Sequence, residues 1–210
     1  MNTVQATATR RMGAISGLLR HRWARIGLQV LLVVGFSALT AAAKKLHPSV
    51  GIPGSSALYW LTALVVGRSV TRSTGAGTLI GIGVALWGVP FGLENSLPYN
   101  VGLYGISGLA LDTVARLPRM DIGGPLGAIV GGLAAHMVKY GFIVGATMVS
   151  SLTRHFLVVG LVNSALLHAG FGIAAGILGW AIVRGVQLIP PWRKGQQSVT
   201  DKGSSSSCAA

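Results

Sequence analysis

His136, Lys139 and Tyr140 stand in the middle of a run that reads GPLGAIVGGLAA on one side and FIVGATMV on the other. Their spacing, i, i+3 and i+4, puts all three on one face of a helix. An ammonium at the centre of a bilayer costs about 2.5–3.5 kcal/mol on insertion scales. Lys139 therefore calls for a water-filled cavity, a carboxylate or an anionic ligand. His136 and Tyr140 can both donate and accept hydrogen bonds beside it. The last apolar segment adds Asn163 and His168. These are five residues apart, about 140° around a helix, so they need not share a face. His168 opens HAGFGIAAG, in which Gly172 and Gly176 make a helix-packing step. A short connection, GLENSLPYN over 92–100, contributes Glu94 and Asn100 near the same level. Asp112 lies four residues before Arg116, which predicts a structural i, i+4 ion pair.

These residues need a scaffold, and composition says which kind. The chain of 210 residues is 51% hydrophobic and 10% charged, with a mean hydropathy of +0.63. Soluble domains carry about 25% charged residues, so an all-α integral membrane protein is expected. Six apolar segments can be read, over roughly 26–43, 57–71, 75–91, 99–115, 124–150 and 157–184. The net charge of +13 could suit nucleic acid, but the basic residues sit in short stretches between apolar runs, which excludes that partner. With the N-terminus inside, 13 Lys and Arg fall on the cytoplasmic side, and only Lys44, Lys45 and Arg154 fall outside. That asymmetry predicts about six spans with both termini cytoplasmic. Residues 1–25 form a basic cytoplasmic segment suited to anionic membrane lipids. Residues 26–186 form the six-helix domain, and 187–210 a cytoplasmic tail expected to be disordered.

Several chemistries are absent from the pattern. There is no HxxxH or HExxH pair and no P-loop, so neither a metal nor a nucleotide cofactor is expected. Cys208 is the only cysteine, and it stands third from the end, one place off a prenylation box. The arginine-rich lead before residue 26 and the length of the apolar run argue against signal cleavage after Ala43. GAGTLIGIG, residues 75–83, reads as helix-packing glycine rather than as a nucleotide loop.

Residues 37–88, SALTAAAKKLHPSVGIPGSSALYWLTALVVGRSVTRSTGAGTLIGIGVALWG, resemble the substrate-binding (S) components of energy-coupling factor (ECF) vitamin transporters. The order of features carries the likeness: a small-residue first helix, a Gly-Pro loop, a second helix with Gly-Arg near its end, and a Gly-rich third helix. The close, LLHAGFGIAAGILGWAIVRGV at 166–186, looks like the family's last helix. The resemblance implies a multi-pass protein of a bacterial-type plasma membrane that binds a vitamin or related small molecule near its outer face. Lys139, His136, Tyr140, Asn163, His168, Glu94 and Asn100 would contact that ligand. It further implies a transmembrane coupling subunit, met through Ala38 and Ala42, and two ATPase subunits as partners. A loop with Gly51, Pro53 and Gly54 would close over the substrate.

Two other classes compete. GISG at 105–108 with His168 is similar to the Ser–His pair of rhomboid intramembrane proteases, with Ser107 as the nucleophile. However, segment 2 holds no histidine, the first outer loop lacks that family's Trp-Arg, and the glycines after His168 fall at the wrong spacing. A non-catalytic membrane scaffold fits the glycine-rich helices but leaves Lys139 without a reason.

Overall fold

The computed structural model describes residues 2–46, 52, 54–71, 73–92, 96–149 and 157–188. Those residues form six helices and no strand. They are α1 (Asn2–Leu46), α2 (Ala57–Thr71), α3 (Ala76–Gly88), α4 (Leu97–Val114), α5 (Pro125–Val149) and α6 (Leu157–Leu188). Three stretches are long and apolar enough to cross a membrane: Trp23–Leu46, Pro125–Thr147 and Gly160–Leu188. α2 and α3 are apolar but short, roughly 22 and 20 Å at 1.5 Å per residue. α1 runs unbroken through residue 25.

Local chemistry sets most of the element boundaries. α5 starts at Pro125, whose missing N–H costs nothing in a first helical turn. Pro98 serves the same purpose in the first turn of α4. Before α5, the Asp121 carboxylate accepts the Gly123 N–H at 3.0 Å, closing the turn. α3 is capped from elsewhere in the fold. Its N-cap residue is Gly75, which has no side chain to offer. The Asp112 carboxylate of α4 accepts the backbone N–H of Gly77 at 3.2 Å and of Thr78 at 2.8 Å. It also accepts the Thr78 hydroxyl at 2.8 Å.

α2 is the middle of the bundle. It touches all five other helices, while α1, α3, α4, α5 and α6 surround it in that order. Nine of its fifteen residues are buried, among them Trp60, Leu61, Leu64 and Val65. Close approach comes from glycine. A Cβ on Gly77 or Gly81 would strike the backbone of α4 at Gly108 or Tyr104. A Cβ on Gly132, Gly172 or Gly176 would strike backbone across the α5–α6 crossing. Gly77, Gly81 and Gly83 of 75–83 and Gly172 and Gly176 of HAGFGIAAG are thus packing surfaces, whereas Gly75 and Gly170 face open space.

The core is apolar, with a few buried polar groups, and the outer surface is apolar as well. Leu28, Leu31, Leu79, Leu86, Leu109, Leu126, Val162 and Leu166 are exposed. Ser37, Thr40, Ser107, Asp112, His136 and Lys139 are buried. Polar groups inside and apolar groups outside suit a hydrocarbon surround.

Candidate functional site

α5 delivers the predicted triplet into the core. His136 is 1% exposed and Lys139 6% exposed, deep enough that an unmatched charge would be expensive. Around them close α2, α4 and α6. The Lys139 Nζ lies 4.1 Å from the centroid of the Trp60 ring and 5.2 Å from that of Tyr104. Trp60 and Tyr104 meet edge to face at 5.4 Å, forming one aromatic corner. A desolvated cation over such faces gains about 2 kcal/mol, less than a buried charge loses. The described carboxylates do not make up the difference. Asp112 is 2.6 Å from the Arg68 Nε, and Asp121 is exposed in the turn before α5. The ammonium of Lys44, near the end of α1, also acts on Lys139 and His136.

A second layer of rings lies beside the cation. His136 and His168 stack at 4.7 Å with 21° between planes. Tyr140 also packs against His168, at 4.7 Å with 40° between planes. His168 is held by α6 itself, its Nδ1 lying 2.8 Å from the Ser164 carbonyl oxygen. The Tyr140 hydroxyl donates to the Leu161 carbonyl at 2.8 Å, fastening α5 to α6. His136 has no such hold. Neither of its ring nitrogens makes a well-formed hydrogen bond, although the Gly54 backbone comes close to it. The Trp60 indole Nε1 is likewise buried without an acceptor.

Gly54 covers this group. It has φ +84°, a left-handed conformation open to glycine. A Cβ there would come within 3.3 Å of the His136 Nε2 and of the His168 ring. The turn can rest directly on the two imidazoles because this residue has no side chain.

The structure thus brings together Lys139, His136, Tyr140, His168 and Gly54 from the residues selected by sequence. Asn100 is buried on α4, one turn before Tyr104. Asn163 is exposed on α6 and faces away from the His168 side. Ala38 and Ala42 are half-buried on α1, beside the fully buried Ser37 and Ala41. Glu94, Gly51 and Pro53 lie outside the described residues. Ser107 and His168 are not joined. The Ser107 hydroxyl donates to the Leu103 carbonyl at 2.9 Å, and α4 and α6 do not touch. Asp112 corrects the expected ion pair: its partner is Arg68 of α2, and Arg116 is exposed. The carboxylate turns inward because both the guanidinium and the uncapped α3 N-terminus lie there.

Trp60 and Tyr104 are the residues that sequence reasoning missed. A tryptophan in the first turn of a short apolar helix looks like an interfacial anchor. The available signal was the ALYW start of α2, just after the Gly-Pro loop. Comparison of the chain with protein-family models, curated proteins and solved structures finds no match.

Proposed function

We propose that this chain is the membrane-embedded substrate-binding component of an ECF-type vitamin or micronutrient transporter. On this reading its six helices cross a bacterial-type plasma membrane and both termini are cytoplasmic. The ligand is small and anionic and binds at Lys139, near the outer face. A transmembrane coupling subunit and two ATPase subunits would drive the cycle, in keeping with a sequence that has no nucleotide motif. The distribution of Lys and Arg supports the orientation.

The observation that carries the proposal is Lys139 itself. It is buried on aromatic faces, and no carboxylate among the described residues faces it. An intramembrane cation of this kind marks a ligand or ion path by default. His136, His168 and the Gly54 turn frame the place where an anion would sit. The test is a thermal-shift screen of the purified protein in detergent against vitamins and their precursors. A tight ligand raises the melting temperature through binding linkage, by about 2.7 kcal/mol at a hundredfold excess over Kd. Lys139→Met should abolish that shift while the protein stays folded. A ligand that stabilises wild type and the variant equally would overturn the placement; no response to any anion would overturn the function.

A further inference from the structure

We infer that Trp60 and His136 are ligand-recognition residues, and that the molecule they recognise with Lys139 is a small monocarboxylate carrying an N–H or O–H donor of its own. The inference rests on the reading of Lys139 as an anion site and specifies its substrate class.

Among the described residues, three buried side-chain polar atoms have no hydrogen-bond partner: Trp60 Nε1, His136 Nδ1 and His136 Nε2. All three belong to rings within 6.0 Å of one another, centroid to centroid. Lys139 stands over one of those rings. Buried polar atoms left unpaired are rare and expensive. Chance would scatter them; here they meet at one place, beside a buried cation.

The hydrogen-bonding inventory then selects the ligand. Lys139 brings donors and one positive charge, and the indole brings one donor and no acceptor. Neutral His136, in either tautomer, brings one donor and one acceptor. The site therefore has a surplus of donors, a single buried cation and one acceptor. A carboxylate supplies two acceptor oxygens and one negative charge, matching Lys139 and the indole N–H. The leftover histidine acceptor requires a donor on the ligand. A phosphate monoester dianion brings two charges and no donor, so it would leave the histidine acceptor unmatched and depend for its second charge on Lys44, which acts on the site from near the end of α1. The side chains around Lys139, namely Trp60, Tyr104 and the stacked histidines, are aromatic, so ring-bearing carboxylates are suitable probes.

The experiment uses the full chain in detergent, with 4-hydroxybenzoate, pyrrole-2-carboxylate, benzoate, 4-hydroxybenzamide and phenyl phosphate as probes. Binding is read by thermal shift and by tryptophan fluorescence. The two donor-bearing carboxylates should bind most tightly, benzoate more weakly, and the neutral amide and the phosphate least. Trp60→Phe keeps an aromatic ring beside Lys139 but removes the indole N–H together with part of the ring. It should weaken the carboxylates by about ten- to a hundredfold, the worth of a hydrogen bond to a charged group, and lower the melting temperature without ligand, because Trp60 is fully buried and the smaller ring leaves a cavity. His136→Phe should erase the advantage of donor-bearing carboxylates over benzoate. If Trp60→Phe does not fold, the probe ranking on wild type and the His136 variant decide. Phenyl phosphate binding above the carboxylates would overturn the substrate class and leave the anion site standing. Equal carboxylate affinity in wild type and Trp60→Phe would overturn the role of the indole. No binding of any carboxylate would overturn the whole inference, carboxylate binding that Lys139→Met leaves unchanged would overturn the placement of the site, and no response to any anion, phenyl phosphate included, would overturn the function beneath it.

Discussion

The two ends of this bundle handle buried charge in opposite ways. At the end where α2 and α4 finish and α3 begins, Asp112 is 1% exposed and fully engaged. It pairs with the Arg68 Nε and accepts two backbone N–H groups and the Thr78 hydroxyl. Nearby, the Ser69 hydroxyl ties α2 to the Ile122 carbonyl at 3.1 Å. At the other end, Lys139 rests on aromatic faces, while His136 and the Trp60 indole hold hydrogen-bonding atoms without partners. One helix, α2, supplies Arg68 to the first and Trp60 to the second. A satisfied network fixes geometry. A set of unpartnered buried groups carries a desolvation cost that the first end does not. The difference separates a satisfied clamp from an unsatisfied cluster.

The contrast breaks most visibly at the clamp. Asp112→Ala leaves Arg68 buried without its partner and α3 without a cap. It should cost about 3–5 kcal/mol, read as a large drop in thermal unfolding temperature in detergent, and no ligand of the other end should restore it in full. Retention of the wild-type melting temperature would show that the clamp is idle.

The next effect belongs to the packing between the ends. Gly81→Ala pushes a methyl group into the Tyr104 carbonyl across the α3–α4 crossing. It should destabilise by about 1–3 kcal/mol, as overpacking does. Because Tyr104 is part of the aromatic corner, it should also weaken ligand binding. A variant with unchanged stability would mean that α3 and α4 can separate at little cost.

Lys139→Met sharpens the comparison from the other side. It replaces an unmatched cation by an apolar side chain of similar length. Without ligand its stability should be within about 1 kcal/mol of wild type, or higher, since removing an uncompensated buried charge relieves a penalty. Large destabilisation on Lys139→Met without ligand would make the lysine a structural residue and merge the two ends into one category.

Arg116→Ala is the smallest test. Sequence spacing pairs Arg116 with Asp112, but the structure gives Asp112 to Arg68. The substitution should therefore leave the unfolding transition unchanged. A loss comparable to Asp112→Ala would restore the i, i+4 pairing.

The helical plan was largely legible in the sequence. Apolar runs and their Gly and Pro punctuation placed α2 at 57–71, as observed, and α5 within a residue at each end. Proline and glycine act through local backbone geometry, so their effect can be read without knowing the fold. α1 extends well before the apolar run because a basic segment can be helical without being hydrophobic. The i, i+3, i+4 pattern of His136, Lys139 and Tyr140 was sufficient to predict one shared face. His168 and Gly54 were chosen as well, from a helix and a loop far away in the chain.

What the sequence determined by itself follows from short-range rules: helix limits, the shared face on α5, the packing glycines and the exceptional status of a mid-segment lysine. What only the tertiary structure decided is which groups meet. Arg68 took Asp112 from Arg116, Trp60 and Tyr104 closed on Lys139, and Asn163 faced outward. Those outcomes depend on how five helices are arranged around α2, and residues separated by tens of positions meet only after that arrangement has formed. Periodicity fixes the direction in which a side chain leaves its own helix. It says nothing of what waits on the neighbouring one.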